Sequence, residues 1–97
     1  MSERIRIDKW LWHARFHRTR VVAREAARSG RIRVNGARVE KAGGEVGPGD
    51  VLTIPFGREV RIVRIVACGI RRGPATEARA LYRILDDTVL DPGAPGP

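Results

Sequence analysis

The sequence predicts an α+β fold in which two N-terminal helices pack on a small, mainly antiparallel sheet. Apolar residues recur at helical spacing in the first third of the chain, and an Asn-Gly pair follows them. Short apolar runs then alternate with glycine- and proline-rich turns. Helices followed by strands are typical of α+β proteins. We expect a single domain over residues 1–90 and a flexible Pro/Gly tail over residues 91–97.

The first helix is predicted over residues 7–16, with Asp8 as the N-cap at its positive end. The residues that fall together on its core-facing side are Trp10, Leu11 and Ala14. Trp12 and Phe16 lie on another side of the helix. For these two rings we favour core packing over the alternative that one of them is left exposed to stack on a nucleobase.

The second helix is predicted over residues 20–29, between an N-cap at Thr19 and a terminating glycine at Gly30. Its core-facing side is predicted to contain Val22, Ala23, Ala26 and Ala27. The opposite side carries arginines at spacing i, i+4, i+8, namely Arg20, Arg24 and Arg28. Like charges at this spacing repel one another, and only Glu25 lies near enough to compensate. This stripe lowers helix stability, and an external anion would offset the loss.

The Asn-Gly pair at positions 35–36 predicts a tight β-hairpin, because both positions tolerate positive φ. On the strand before it, alternation places Ile32 and Val34 on one face and Arg31 and Arg33 on the other. The basic residues of the hairpin are therefore expected to point away from the core.

The second half of the chain is predicted to be mostly strand and turn. Residues 40–50 show no periodicity and read as a loop that closes in a turn at residues 47–50. The further elements predicted are strands over residues 51–55 and 59–67 and a short helix over residues 75–80 opened by Pro74. Alternation breaks within the second strand, which indicates a bulge or burial on both faces. Residues 81–85 fit either strand or helix.

The net charge of +8 is confined to the first two fifths of the chain. Residues 1–41 hold twelve basic residues against four acidic ones, whereas residues 42–97 hold seven against seven. Such a local positive field predicts a polyanionic partner, and nucleic acid is favoured over an anionic membrane or a merely solvated face. Arginine outnumbers lysine seventeen to two. Its guanidinium group can bind phosphate with two hydrogen bonds and stack on bases.

Other classes of function find little support in the sequence. No phosphate-binding glycine loop, catalytic triad or carboxylate dyad is recognisable, so no catalytic residue, cofactor or metal is predicted. His13 and His17 have metal-ligand spacing on the predicted helix but no third ligand. They are expected beside the basic face, where an anion would raise their pKa values and they would assist binding at mildly acidic pH.

Targeting signals are also missing from the sequence. No apolar run is long enough to cross a membrane, and no secretory signal is present, so we expect a cytoplasmic protein. We also expect a monomer. Cys68, the single cysteine, lies in an apolar run and is expected to be a small buried residue.

Four short motifs follow one another in the first half of the chain. They are R-I-D-K-W-L-W at residues 6–12, T-R-x-x-A at 19–23, S-G-R-I-R-V-N-G at 29–36 and P-G-D at 48–50. In this order they resemble the alpha-L RNA-binding domain of the ribosomal protein S-four type, over roughly residues 4–54. The resemblance implies the α+β fold of that family and RNA contacts on its two helices.

A further motif, R-R-x-P-A-x-E-A at residues 71–78, is similar to one branch of this family, the small bacterial heat-shock proteins of the large ribosomal subunit. The resemblance implies large-subunit ribosomal RNA as the partner, with tRNA as a second candidate partner, in stalled-ribosome rescue or the heat-shock response. Members of that branch often carry a long basic C-terminal extension. This chain has a Pro/Gly tail there, so no contact of that kind is expected.

The candidate RNA contacts lie on the two helices and around the hairpin. Charge and position select Arg15, Arg18, Thr19, Arg20, Arg24, Arg28, Arg31, Arg38 and Lys41. The resemblance adds Arg6, Lys9 and Asn35, of which Asn35 could instead serve only the hairpin turn.

Two other functions stay open at this point. One is a DNA-binding helix-turn-helix protein, although the second helix lacks the Asn or Gln that reads adenine edges. The other is a targeting module for a separate RNA-modifying enzyme. In all three readings the chain itself is not an enzyme.

Overall fold

The computed structural model describes residues 3–39, 41 and 43–86, so the tail predicted over residues 91–97 lies outside it. The helices are α1 (Ile7–His13), α2 (Arg20–Arg28) and α3 (Ala75–Arg79). The strands are β1 (Ile5–Arg6), β2 (Arg33–Val34), β3 (Ala37–Arg38), β4 (Glu45–Val46), β5 (Val51–Phe56), β6 (Glu59–Ile65) and β7 (Tyr82–Asp86). One antiparallel sheet has the strand order β3-β2-β5-β6-β7, and β1 pairs separately with β4. The predicted α+β fold is confirmed.

Helix α1 begins differently from the prediction. Arg6 holds the N-cap position, although its side chain makes no capping hydrogen bond to a backbone N–H of the helix, and the expectation of Asp8 as N-cap was wrong. Asp8 lies within the first turn, where its Oδ1 accepts a hydrogen bond from the backbone N–H of Lys9 at 2.7 Å. The carboxylate nevertheless sits at the positive end of the helix, as the dipole favours.

The end of α1 also differs, because the helix stops at His13 instead of continuing to residue 16. Arg15 has φ of 63°, in the left-handed region that non-glycine residues rarely adopt. The backbone N–H of Arg15 donates to the Trp12 carbonyl at 3.1 Å, and that of Phe16 to Leu11 at 3.0 Å. This is a Schellman-type helix end. The sequence offers no glycine there, which is why the helix was predicted too long.

The core-facing side of α1 is buried as predicted, with Trp10, Leu11 and Ala14 all inaccessible to solvent. Trp10 Nε1 donates to the carbonyl of Ala67 at 3.0 Å. The Phe16 ring lies 5.9 Å from that of Trp10 and 4.8 Å from that of Tyr82, measured between centroids. Trp12 is partly buried against the same core. Phe16 and Trp12 thus pack as core residues, which was the favoured interpretation.

Helix α2 has the predicted ends but a narrower buried side. Thr19 Oγ1 accepts from the backbone N–H of Val22 at 3.1 Å, and Gly30 follows the helix with φ of 79°. Ala23 and Ala27 are fully buried. Val22 is 46% exposed, so its assignment to the core was wrong. The reason is that α2 packs chiefly on α1 through small residues, and this contact covers only a narrow stripe.

The predicted hairpin is present between β2 and β3. Asn35 and Gly36 have φ of 52° and 86°, the pattern of a tight two-residue turn, and Val34 pairs with Ala37 across it. Ile32 is buried and Arg33 is exposed, as alternation predicts. The hairpin therefore presents its arginines to solvent.

Asp50 joins this hairpin to the turn that precedes β5. Its Oδ1 accepts from Nδ2 of Asn35 at 3.0 Å, while Asn35 Oδ1 accepts from the backbone N–H of Val51 at 2.9 Å. Its Oδ2 accepts from the backbone N–H of Gly47 at 2.9 Å and pairs with Arg4 at 3.4 Å. Both ends of the Asn35 amide are thus committed within the protein, which favours its role in the turn.

Residues 40–50 contain more structure than the loop that was predicted. Val46 of β4 pairs with Ile5 of β1, and the N–H of Ile7 donates to the Gly44 carbonyl at 2.7 Å. Strands of two residues are too short to show periodicity, so the sequence could not reveal them. The turn at residues 47–50 is confirmed, with Gly49 at φ of 94°.

In the C-terminal half, the structure decides between the alternatives left open for the second long strand and for residues 81–85. The pairing of β6 with β7 shifts between Ile62 and Val63, so a β-bulge accounts for the broken alternation in β6. Residues 82–86 form a strand, β7. Helix α3 follows Pro74 as expected and ends at Arg79. No helix among the described residues combines the length and apolar character that a membrane crossing needs.

His13 is a buried polar residue within this core, with 2% of its surface exposed. Its Nδ1 lies 3.2 Å from the carbonyl oxygen of Cys68, to which a neutral ring with a proton on Nδ1 donates. Burial lowers the pKa of His13, and the nearby charges of Lys9 and Arg20 lower it further. Cys68 is itself buried, as predicted, and burial raises the pKa of its thiol.

We expect Asn35→Ala to lower the free energy of unfolding by about 1–3 kcal/mol, because two hydrogen bonds are lost and Ala tolerates positive φ poorly. Asn35→Gly should cost less, since glycine keeps the backbone conformation and loses only the hydrogen bonds. Urea unfolding of both variants measures the difference. Equal stability of the wild type and Asn35→Ala would contradict the structural role of this amide.

We expect stability to fall as the pH drops from about 7.5 to 5.5. The folded-state pKa of His13 is lowered, so the unfolded chain takes up a proton near the ordinary value of about 6.5 before the folded chain does. The contribution of neutral His13 is therefore fully present above that value and is lost below it. His13→Gln, which keeps a donor for Cys68, should flatten this dependence in urea unfolding. An unchanged slope would contradict the assignment.

Candidate nucleic-acid interface

The predicted RNA contacts occupy the first three elements and the hairpin. Two acidic residues, Asp8 and Asp50, accept hydrogen bonds from some of these predicted contact residues. The twelve residues lie at the end of β1 (Arg6), on α1 (Lys9), in the connection to α2 (Arg15, Arg18, Thr19), on α2 (Arg20, Arg24, Arg28), around the hairpin (Arg31, Asn35, Arg38) and after it (Lys41).

Asp8 brings the first arginines of two elements together. Its side chain is 1% exposed and accepts two hydrogen bonds from Arg6, Nε to Oδ1 at 3.2 Å and Nη2 to Oδ2 at 3.1 Å. Arg20, the first residue of α2, places Nη2 3.8 Å from Oδ1. The hydrogen bonds to Asp8 raise the pKa of Arg6 above its already high value, so this group stays charged.

The segment after the hairpin folds against the same cluster. A side chain at Gly43 would lie 3.7 Å from the guanidinium carbon of Arg6, and the Gly44 N–H donates to the Lys41 carbonyl at 3.2 Å. Residues from β1, α2 and the 41–44 segment thus meet at one place, although they are far apart in sequence. Arg6 and Arg20 both remain partly exposed there, at 51% and 39% of their side-chain surface.

The start of α2 is a second polar feature of this surface. Thr19 uses its hydroxyl oxygen to satisfy the N–H of Val22, and the Thr19 carbonyl accepts from Ala23. The N–H groups of Arg20 and Val21 head the same helix end, where backbone dipoles favour an anion. Arg18 lies exposed just before it.

Arg24 and Arg28 continue along the exposed side of α2 as predicted. Within the part of the chain that the structure describes, no carboxylate lies within ion-pair distance of either. The exposed Val21 and Val22 lie on the same helix, at 54% and 46%. This exposed apolar pair on a basic surface was not predicted from the sequence. Two adjacent valines cannot both face a narrow alanine contact, and that was the available signal.

Arg15 has a structural role that its sequence position did not suggest. Its Nε donates to the carbonyl of Gly73 at 2.6 Å and so ties the end of α1 to the loop before α3. Its side chain is therefore turned towards the C-terminal half of the chain. The structure does not group it with the cluster at Asp8.

Arg38 and Lys41 lie beside an open hollow of about 360 Å³. Glu45 also lines this hollow, together with apolar residues of α1, β2 and β4. The side chain of Arg38 passes close to Gly30, where an added Cβ would meet its Cδ at 3.5 Å. The hairpin and the end of α2 are thereby in contact.

The expectation for the histidines was wrong. His13 is buried in the core, and His17 lies outside α1, so the two do not share a helix. Burial lowers the pKa of His17, as it does that of His13. Both rings therefore take up a proton less readily than an exposed histidine does, which argues against a role for them in extending the basic surface. Among the described residues, no group of three or more potential ligands could hold a metal ion.

This geometry suits an extended polyanion better than a small ligand. Two guanidinium groups lie beside Asp8, and the start of α2 and the exposed Arg24 and Arg28 extend the basic surface along the helix. Such contacts position a backbone and do not read a base sequence.

Comparisons with known proteins bear on this region directly. The S4 domain family model matches residues 5–52, which contain every predicted contact. Heat shock protein 15 of Escherichia coli (strain K12) is 40% identical over 85 residues, which are 88% of this chain and 63% of that protein. The chain thus spans less than two thirds of the length of this relative.

Two further relatives match over most of their length. The RQC P-site tRNA stabilizing factor of Listeria monocytogenes is 42% identical over 93 residues, covering 94% of this chain and 97% of that protein. A solved structure titled as trimeric Vibrio cholerae Heat Shock Protein 15 is 38% identical, with a TM-score of 0.79 over 84% of this chain and 82% of that one. The motifs, the fold and these matches agree, and the chain belongs to the S4-domain family.

Proposed function

We propose that this protein is a non-catalytic RNA-binding protein of the cytoplasm. Its ligand is structured RNA of the large ribosomal subunit, with tRNA as a further ligand, and it acts in the rescue of stalled ribosomes or in the heat-shock response. It binds as a monomer. The names of its relatives, heat shock protein 15 and RQC P-site tRNA stabilizing factor, support this assignment.

The observation that carries the proposal is the state of the arginines on and around α2. Arg24 and Arg28 are exposed, with no carboxylate partner in the described part of the chain, while Asp8 holds Arg6 and Arg20 beside the start of the same helix. Unneutralised charge on a helix lowers its stability, and phosphate groups would supply the missing anions.

RNA is favoured over duplex DNA by the side chains that α2 presents. The exposed residues of this helix are arginine, valine and Glu25, with no Asn or Gln to pair with adenine in a major groove. Contacts of this kind suit an A-form backbone and its 2′-hydroxyl groups. Duplex DNA is therefore the natural competitor in binding experiments.

Binding to isolated large ribosomal subunits, and in parallel to tRNA, should weaken steeply with salt. If about five phosphates are neutralised, log affinity should fall against log salt with a slope of roughly −3.5 to −4.5. Arg24→Gln with Arg28→Gln should reduce the size of that slope by roughly 1.4–1.8. The matched control is Arg64→Gln with Arg83→Gln, which removes the same charge from paired positions of β6 and β7.

A flat salt dependence would contradict the electrostatic part of this function. Equal losses in the α2 pair and in the control pair would show that net charge matters and that α2 does not form the contact. An excess of duplex DNA that displaces the protein from large subunits as well as ribosomal RNA does would favour the helix-turn-helix alternative.

Asp8→Asn tests whether Asp8 positions the arginines that bind RNA. The substitution makes the protein more positive, so charge alone predicts tighter binding. Loss of the fixed partner of Arg6 and Arg20 predicts weaker binding instead, by several-fold, and we expect this result. Glu25→Gln, which removes an exposed acid beside the arginine stripe, should bind more tightly and serves as the control. Filter binding well below the melting temperature of each variant makes the comparison, and tighter binding by Asp8→Asn would contradict it.

A further inference from the structure

The loop over residues 69–73 presents an apolar side chain almost entirely to water. Ile70 is 95% exposed, whereas the other large exposed apolar residues of the described chain lie between 44% and 54%. The loop follows β6 and lies outside the residues that the S4 domain model matches. An isoleucine in this position leaves its apolar surface in water and gains no packing in the isolated protein.

Ile70 is not exposed because the loop lacks contacts, since residues at both ends of the loop pack or form hydrogen bonds with the rest of the protein. Gly69 has φ of 75° and packs so closely on Leu81 that a Cβ would lie 3.0 Å from it. Arg71 donates to Glu77 through Nε at 3.1 Å and Nη2 at 2.8 Å. A side chain at Gly73 would displace the Glu77 carboxylate that binds Arg71, since a Cβ there would meet it. Ile70 is thus held outward by a defined scaffold.

The surroundings of Ile70 are basic. Arg71 and Arg72 follow it directly, with Glu77 as the acid that binds Arg71. The Nε of Arg72 is buried without a hydrogen-bond partner in the described part of the chain. A neighbouring hollow of about 180 Å³ is lined by Arg15 and Arg79 among others. An apolar side chain followed directly by two arginines suits a ligand that offers both phosphates and flat apolar surfaces.

The loop is tied to the connection between α1 and α2, which carries several of the predicted RNA contacts. The Gly73 carbonyl accepts the 2.6 Å hydrogen bond from Arg15, and Arg18 and Thr19 follow in the same connection. A partner protein would find an apolar point among like charges, without a broad apolar patch around it.

We propose that residues 69–73 form a second RNA contact, in which Ile70 packs against an unpaired base or ribose and Arg72 binds the adjoining phosphate. This inference rests on the proposed function and assigns the motif at residues 71–78 a role in the ligand interface. Apolar side chains that pack on or between bases are a known means of binding distorted or unpaired nucleic acid.

The contributions of Ile70 and Arg72 to RNA binding should differ in how they depend on salt concentration. Ile70→Ala should weaken binding to large ribosomal subunits about three- to tenfold at every salt concentration, with the slope unchanged, because an apolar contact releases no counterions. Arg72→Gln should weaken binding and also reduce the size of the slope by roughly 0.7–0.9. Val66→Ala, at a site 52% exposed in the preceding segment, is the matched control and should bind as the wild type does.

Photo-crosslinking identifies what Ile70 touches. A benzoylphenylalanine placed at position 70 should crosslink to RNA when the full chain is bound to large subunits, and one placed at position 56 on the exposed β5–β6 turn should not. Crosslinks from position 70 to a second copy of the chain or to a ribosomal protein would overturn the proposal. Wild-type binding by Ile70→Ala would also overturn it, and if Arg24→Gln with Arg28→Gln still weakened binding, the proposed function would stand.

Discussion

The buried carboxylate of Asp8 requires positive charge around it, and the start of this fold is arranged to provide it. A charge with 1% exposure is costly to bury unless it is paired and hydrogen-bonded. Arg6 supplies two hydrogen bonds, Arg20 approaches from α2, and the N-terminus of α1 adds its dipole. One side chain thus fixes how β1, α1 and α2 meet, and it explains why the R-x-D element of the motif precedes the arginine-rich helix.

Asp50 has the corresponding role at the other end of the matched segment. It links the hairpin turn through Asn35, the following turn through Gly47 and the N-terminal segment through Arg4. The N-G and P-G-D elements of the motif are thus joined directly by the hydrogen bond between Asn35 and Asp50. These motif residues therefore hold the fold together, and a match to the motif does not by itself identify residues that bind a ligand.

Local signals predicted those parts of the molecule whose structure has local causes. The Thr19 cap, the stop at Gly30 and the Asn-Gly hairpin depend on neighbouring residues, and each was found where the sequence placed it. Features set by contacts between distant segments were missed, such as the β1–β4 pair and the burial of His13 against Cys68. Within the candidate site, charge and resemblance selected the residues, but they could not separate arginines that bind the protein from those left exposed.

That separation changes how the net charge should be understood. Arg4 and Arg6 bind carboxylates, and Arg15 binds a backbone carbonyl, so part of the basic excess in residues 1–41 is already used to hold elements together. The charge available to a polyanion comes mainly from arginines such as Arg24 and Arg28. The number of phosphates neutralised must therefore fall well short of the number of basic residues. A salt dependence that corresponds to about five phosphates fits this division between internally bound and exposed arginines. A slope that corresponded to all the basic residues of this segment would require the internal ion pairs and hydrogen bonds to break on binding.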